Sequence, residues 1–526
     1  MVRRVFFTLA VVLPLAVLLL ATFSLHVLWV FVILGPLIAL GLHDVIQTKR
    51  SLLRIYPVIG HGRYLLEELR PEIQQYFVES NTDGTPFSRE WRSVIYQRAK
   101  GARDTVPFGT QRDVEGIGHE WMTHSLAPLP EPETVPRILV GGPECQQPYS
   151  ASYLNISAMS YGSMSKTAIL SLNLGAKLGG FAHNTGEGSA SPYHLEHRGD
   201  LTWQIGTGYF GCRTLGGDFD PAAFAELATI EQIRMIEIKL SQGAKPGHGG
   251  ILPAAKVTPE IAKIRGVPLG QDVLSPPAHS AFQTPIGLLK FVQKLRGLSG
   301  GKPVGFKLCI GHRREFLGIC KAMVETGITP DFITVDGAEG GTGAAPVEHT
   351  NSVGMPMRDG LLFVNSALRG FGLRDGIRVI AAGKIATGFH IVRAIALGAD
   401  MCNTARSMMF ALGCIQARRC NSNECPVGVA TQDPARFQGL VVSDKAPRVQ
   451  RYHHDTIHAF LELTASSGLS SPDQIGPDHV LRRISPSEVR TFAEIYEYLP
   501  VGCLLDQSSV PSDWRDRWDR ANAKQF

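Results

Sequence analysis

The chain has 526 residues, with 52 Lys and Arg against 47 Asp and Glu, for a formal net charge of +5. Hydrophobic residues make up 44% of it, an ordinary share for a globular protein that argues against disordered and collagen-like classes. So mild a charge on so long a chain argues against nucleic acid as a partner, and the length allows about three domains or one large barrel with extensions.

The apolar residues are unevenly placed. Residues 5–43 contain no Asp, Glu, Lys or Arg. A membrane-crossing helix needs about 20 apolar residues, and this block is about twice that, with a polar break at Ser24-Leu25-His26. It predicts two helices, about 5–23 and 26–42, forming a transmembrane hairpin over residues 1–43. Arg3 and Arg4 flank one end and Lys49, Arg50 and Arg54 follow the other, so the positive-inside tendency puts both ends in the cytoplasm. The expectation is a multi-pass protein of the inner membrane whose remaining chain faces the cytoplasm. A cleaved signal peptide fits less well, because its apolar stretch is shorter; a single long tilted span is the other alternative.

Nine cysteines in a long chain, an odd number with three inside residues 414–425, do not read as a secreted disulfide framework. They suit a reducing compartment.

Residues 44–150 read as a polar lead-in region with short helical stretches at Gly62–Tyr76 and Ser88–Arg98. From about residue 151 β-rich apolar runs alternate with amphipathic ones. The predicted strands are Leu154–Ser160, Phe181–Thr185, Leu201–Ile205, Met235–Leu240, Val304–Cys309, Phe332–Asp336, Val379–Ala382 and Met401–Thr404. Helices are predicted over Ser163–Leu178, Pro221–Arg234, Pro285–Arg296, Arg313–Thr326 and Thr387–Leu397. Repeated βα units imply a parallel sheet, and this number over about 250 residues suits an α/β fold of the (β/α)8 TIM barrel type, with a doubly wound sheet as the alternative. The barrel is expected over 151–440, and 441–526 reads as a C-terminal helical cover containing a helix at Ser485–Tyr498.

Gly206-Thr-Gly-Tyr-Phe-Gly211 has the form G-x-G-x-x-G, but the residues after it are poor helix formers, so a dinucleotide site is not expected. His454 and His458 have helical i,i+4 spacing without an evident third ligand, and read as a solvated face.

Gly383-Lys384-Ile-Ala-Thr387-Gly388 ends the seventh predicted strand, and Thr404-Ala405-Arg406 the eighth. Loops after strands 7 and 8 commonly bind phosphate in barrels, which points to a phosphate-bearing cofactor. Lys239 and Lys307 sit near strand ends, where a buried lysine needs a partner such as an electron-rich ring edge, a phosphate or a carboxylate. Cys414, Cys420 and Cys425, with Pro426 following, suit an iron–sulfur cluster better than zinc, which normally takes a fourth ligand.

Six segments, in this order, resemble the synthase domain of glutamate synthase and its stand-alone FMN-binding relatives. They are Ser157-Ala-Met-Ser-Tyr-Gly-Ser-Met-Ser165, Asn184-Thr-Gly-Glu-Gly188, Glu237-Ile-Lys-Leu-Ser-Gln-Gly-Ala-Lys-Pro-Gly247, Ser275-Pro-Pro-Ala-His279, Gly340-Gly-Thr-Gly-Ala-Ala-Pro346 and the stretch from Cys414 to Cys425-Pro-Val-Gly-Val-Ala-Thr-Gln-Asp-Pro434.

The resemblance implies an FMN-binding barrel with a [3Fe-4S] cluster that makes L-glutamate from 2-oxoglutarate and an ammonia equivalent. It implies that the backbone of Ala158, Met159 and Ser160 meets the flavin, with Gln204 and Lys307 beside the ring. Gly341, Gly343, Gly383, Lys384, Thr404, Ala405 and Arg406 would complete the cofactor site toward its phosphate. Lys239, Gln242 and Lys245 would line the 2-oxoglutarate side, Glu187 would lie between flavin and cluster, and Cys414, Cys420 and Cys425 would ligate iron.

Departures accompany the resemblance. The apolar block stands where full-length relatives carry their ammonia-releasing domain, so ammonia is expected from outside. No pyridine-nucleotide domain is read, so electrons are expected from a partner protein, a ferredoxin or a reductase. His248 replaces a usual Glu, Ser189 a usual Gly, and Ser191–Arg198 is distinctive. These positions flank the expected substrate pocket. They keep open a different keto acid, or an amine in place of ammonia, giving an N-substituted glutamate; a membrane-tethered electron-transfer protein is the remaining alternative.

Overall fold

The computed structural model describes residues 2–526. The chain divides into two compact units, Met1–Arg89 and Glu90–Phe526.

In the first unit, α1 (Val2–Ala21) is joined through a 3-10 turn at Leu25–Val30 to α2 (Phe31–Ile46). A side chain at Gly41 would run into the Phe6 ring. The start of α1 therefore lies against the end of α2, and the two run antiparallel. Most of their apolar side chains are exposed, and both helices are long and apolar enough to cross a membrane. The second helical run begins near its predicted start as a 3-10 turn and extends to Ile46, four residues past its predicted end.

In the second unit, eight strands form a closed barrel: β1 (Leu154–Ile156), β2 (His183–Asn184), β3 (Leu201–Ile205), β4 (Ile233–Lys239), β5 (Val304–Leu308), β6 (Phe332–Asp336), β7 (Arg378–Ala382) and β8 (Met401–Thr404). Every pairing is parallel, and β8 returns to β1 through Cys402 opposite Leu154. The strands are buried on both faces and read as near-continuous apolar runs, as enclosed parallel strands do.

The outer helices are α3 (Lys166–Gly179), α4 (Pro221–Ala228), α5 (Pro285–Leu298), α6 (Arg313–Thr326), α7 (Met357–Gly370), α8 (Gly388–Ala396) and α9 (Arg406–Leu412). Their starts are written in the sequence. Ser165, Asp220, Thr284 and Thr387 each accept a first-turn amide, and proline follows Asp220 and Thr284, the usual N-terminal chemistry. A long helix, α10 (Val442–Ser466), packs across α3, α8 and α9.

Two expectations change. The helix expected to reach Arg234 stops at Ala228, and β4 begins at Ile233; the β-branched pair Thr229-Ile230 ends the helix early. The helix expected at Ser485–Tyr498 is instead a hairpin. Val480–Ser485 pairs with Glu488–Thr491 on one side and with Glu120–Met122 on the other. Only Phe492–Ile495, started by a Thr491–Glu494 capping box, is helical. The cover is thus a mixed α and β layer that incorporates part of the lead-in region.

Candidate active site

The charged side chains singled out in the sequence gather at the C-terminal ends of the strands. Lys239 ends β4, and its Nζ lies 3.2 Å from Oε2 of Glu187, which follows β2. Lys307, on β5, pairs with Asp336 at the end of β6 at 3.4 Å. All four side chains are largely buried. Ions in such a place are costly to desolvate and persist because they are paired.

The electrostatics follow from burial and pairing. Burial works to raise the Glu187 pKa, but Lys239, Arg265 and Lys245 together outweigh it and hold the carboxyl below its ordinary value. Burial lowers the Lys239 pKa, against the pull of Glu187. Burial also acts on Lys307, where Asp336, Glu237 and Glu187 prevail and raise it. Lys245 is pushed down to about 8, by burial first and then by Lys239. Its Nζ donates to the carbonyl of Ala344 at 2.6 Å, tying the loop after β4 to the glycine-rich loop after β6. Gln242 has a buried Nε2 without a hydrogen-bond partner among the described residues. A Cβ on Gly206 or Gly250 would meet the Glu187 carboxylate, so glycines keep the slot around that group open.

Beneath this cluster lies a carboxylate that received no role from the sequence. Glu237 is buried within β4. Its Oε1 accepts from Asn184 Nδ2 at 2.8 Å and Gln204 Nε2 at 2.7 Å, and its Oε2 from Thr334 Oγ1 at 2.7 Å. It fixes the amide of Gln204 with the oxygen turned outward. The signal was a lone acid inside an apolar strand, between Ile236 and Ile238.

Two buried histidines also hold the site. Burial lowers the His279 pKa to about 4, so the ring is neutral. The network assigns Nε2–H donating to the carbonyl of Lys239 at 3.0 Å, with Nδ1 accepting from Tyr209 at 2.9 Å. His194, inside the distinctive Ser191–Arg198 segment, is likewise lowered to about 4 by burial. Its Nε2 reaches the Met159 carbonyl at 3.3 Å while Nδ1 meets Ser191 Oγ at 2.8 Å. The Ala158–Met159–Ser160 stretch is thereby supported from outside, and Met159 N–H donates to Asn184 O at 3.2 Å.

On the opposite side of the mouth, Gly383 and Lys384 follow β7, and Ala405 and Arg406 follow β8. Burial lowers the Lys384 pKa, and the Arg406 charge lowers it further. Burial brings Arg406 down to about 10 against the attraction of Asp336 and Glu339. Two cations that repel one another beside strand ends fit an anion such as a phosphate. Thr404 Oγ1 donates to the Ile385 carbonyl at 2.7 Å, and Arg406 Nη2 to the Glu339 carbonyl at 2.6 Å, which anchors the loop carrying Gly341 and Gly343.

Cys414, Cys420 and Cys425 lie in the loop after α9. Burial pushes the Cys414 thiol up to about 12, with Cys420 and Cys425 adding to the shift; burial and Cys425 raise Cys420. The three thiols are thus within electrostatic reach of one another. Among the described residues no three His, Cys, Asp or Glu converge on a single ion position. Gln416, Arg418 and Asn423 all have left-handed φ, at 59°, 55° and 66°, which stores strain in the loop. Lys256, also without a role from the sequence, is buried beside it. Its Nζ donates to Ser163 O at 2.9 Å and Ala430 O at 2.8 Å, and burial brings its pKa to about 8 against the pull of Cys420 and Cys425.

Gly206–Gly211 runs into turns, and the next helix starts only at Pro221. His454 pairs with Asp455 and His458 with Glu131, both on exposed surface. His248 meets the ring of His349 edge-on at 5.4 Å. Ser189 holds a left-handed φ of 77°. A cavity of about 410 Å³ lined by Glu339, Met357, Arg358, Arg393 and Tyr496 touches the site only through Glu339. A second, of about 380 Å³, lies at the opposite strand ends, by Asp200 and Arg234. The convergent charges at the barrel mouth mark the chemistry better than either hollow.

A closed parallel barrel with its ion pairs at the C-terminal strand ends is the layout of a (β/α)8 barrel enzyme. Residues 142–470 match the model of the conserved region in glutamate synthase. The chain is 37% identical over 478 residues to the glutamate synthase large subunit-like protein YerD of Bacillus subtilis (strain 168), which covers 83% of this chain and 90% of that protein. It is 34% identical over 334 residues to an archaeal-type glutamate synthase (NADPH) of Thermotoga neapolitana, covering 63% of this chain and 62% of that one. The chain belongs to the glutamate synthase family. Among solved structures, mandelate oxidase with (S)-2-phenylpropionate superposes loosely, at a TM-score of 0.39 and 13% identity over 84% of this chain and 98% of that chain.

Proposed function

We propose that the barrel reductively aminates 2-oxoglutarate to L-glutamate. The observation that carries this reading is the gathering of Lys239 and Lys245 around Glu187, which suits a dicarboxylate keto acid; Gln242, in the same loop as Lys245, carries a buried Nε2 without a partner among the described residues. The lysines attract its carboxylates, and Gln242 offers the donor it otherwise leaves unused. Ammonia adds to the ketone carbon and water leaves, giving an iminium cation, for which Glu187, kept ionised by its cationic neighbours, is the counter-charge. His279 holds the Lys239 backbone so that this pairing keeps its geometry.

The residues fit the two cofactors the family implies. Ala158, Met159, Ser160, Gln204 and Lys307 would hold the FMN ring, and Gly341, Gly343, Gly383, Lys384, Thr404, Ala405 and Arg406 its phosphate end. Cys414, Cys420 and Cys425 would each bind one iron of a [3Fe-4S] cluster, which takes ligands from a spread set of thiols rather than a single point. When bound, FMN supplies hydride to the iminium carbon and the cluster supplies electrons one at a time. Ammonia and electrons come from outside this site, the latter from a ferredoxin or a reductase. The antiparallel α1–α2 pair spans the inner membrane, with Arg3, Arg4, Lys49, Arg50 and Arg54 on the cytoplasmic side.

Purified protein releasing FMN on denaturation and carrying iron supports the reading; colourless protein after anaerobic reconstitution with both overturns it. A second reading, an amine in place of ammonia, rests on the departures His248 and Ser189, which follow β4 and β2. Methylamine turning over faster than ammonium would select it.

A further inference from the structure

The chain that leaves α2 folds back on it. Asp44, in the last turn of α2, is fully buried and sits 2.8 Å from His61 Nε2, while its other oxygen accepts the Val58 N–H at 2.9 Å. Arg54 Nε donates to Val45 O at 3.3 Å, and the Arg50 guanidinium stands over the Tyr64 ring at 4.4 Å. These contacts pin the start of the helix Gly60–Ile73 at the level where α2 ends. The apolar run ending there, Leu25–Ile46, is 22 residues long, about 33 Å as helix, close to the hydrocarbon thickness of about 30 Å. The end of α2 is therefore the water boundary of the bilayer on the reading of the hairpin as a membrane anchor.

The pinned helix has two unlike faces. Leu65, Leu66, Leu69 and Ile73 are all exposed and fall within an arc of about 100°. Arg63, Glu67, Glu68, Arg70 and Glu72 occupy the rest, with Arg63 and Glu67 paired at 2.7 Å. The helix continues into a π-turn, Gln74–Val78, that carries Tyr76, Phe77 and Val78, also exposed, Phe77 to 84%.

We propose that residues 60–78 lie in the plane of the membrane as an interfacial helix, with the Leu65–Phe77 face in the headgroup–acyl boundary. The occupant is lipid rather than protein because the Asp44 contacts start the helix at the depth of that boundary, with its exposed apolar face following at once. Tyr64, Tyr76 and Phe77 supply aromatics at that level, and Lys49, Arg50 and Arg54 stand beside it to meet anionic headgroups. The inference rests on the membrane reading of α1 and α2.

The test uses the full-length protein in nanodiscs of phosphatidylcholine and phosphatidylglycerol doped with photoactivatable lipids. One carries a diazirine near the headgroup, the other at the chain terminus, and adducts are mapped by mass spectrometry. The shallow probe labels 60–78 and the deep probe labels 2–46 but not 60–78. The combined L65E, L69E and F77E variant loses the shallow label on 60–78 and keeps the deep label on 2–46. Deep labelling of 2–46 with 60–78 unlabelled by either probe, or with 60–78 crosslinked to a second copy or another protein instead, overturns the inference and leaves the anchor standing. Deep labelling of 60–78 overturns it as well. Absence of label on 2–46 overturns the anchor and the inference together.

Discussion

Glu187 Oε2 and Lys239 Nζ lie 3.2 Å apart at the mouth of the barrel, brought together from the ends of two different strands. Among the described residues neither charge has an alternative opposite partner as close, so each depends on the other.

Glu187→Gln should therefore cost more than a substrate contact. The lysine loses its counter-charge and the iminium its stabilising carboxylate. The expected fall in kcat is about 10²–10³-fold, the range for loss of one pre-set electrostatic partner. It is measured with reduced viologen as electron source. A change of less than threefold would remove Glu187 from the reaction.

Lys245 predicts a pH dependence. Its pKa in the folded protein is about 8, below the ordinary lysine value because of burial and Lys239. The ammonium is present below that pH and lost above it, so attraction for a keto-acid carboxylate is complete in the acid range. kcat/KM for 2-oxoglutarate should fall as pH rises through about 8, since this profile reports the free enzyme. Lys245→Arg should move the inflection well upward. An unmoved inflection would assign it to another group.

The Glu237 hub predicts a stability effect. Glu237→Leu leaves the buried donors of Asn184, Gln204 and Thr334 unmatched, which should cost about 2–4 kcal/mol by urea unfolding. Glu237→Gln keeps one carbonyl acceptor and should cost less. Equal stability of all three proteins would contradict the accounting.

Much of this architecture was legible because strand and helix signals agreed. β3 and β6 fall on their predicted bounds, and α8 starts one residue after its predicted first residue, with Thr387 as its cap. What was hidden depended on contacts distant in sequence. Thr491-x-x-Glu494 is a sound helix start, but pairing of Glu488–Thr491 with Val480–Ser485 claimed the residues before it. Glu237 and Lys256 received no role from the sequence, because their partners come from β2, β3 and β6 in one case and from Ser163 and Ala430 in the other. Ser189, at a position where the sequence resemblance leads to the expectation of Gly, bears a left-handed φ of the kind glycine favours; nothing in the structure explains the serine.

The cysteine loop predicts a selective loss of metal. Cys420→Ser and Cys425→Ser should each lower iron content well below the parent, whereas Cys145→Ser and Cys503→Ser, outside that loop, should leave it unchanged. Iron analysis and low-temperature electron paramagnetic resonance of the oxidised protein provide the readout. Full iron content in Cys420→Ser would rule out the assigned ligand set.

The central claim is reductive amination at the Glu187–Lys239 mouth. Chemically reduced, cofactor-replete protein is mixed anaerobically with carbon-13-labelled 2-oxoglutarate and nitrogen-15 ammonium, and the products are resolved by mass spectrometry. The account predicts doubly labelled L-glutamate, formed by the parent and strongly reduced in Glu187→Gln. Reoxidation of the protein without any labelled glutamate would contradict it.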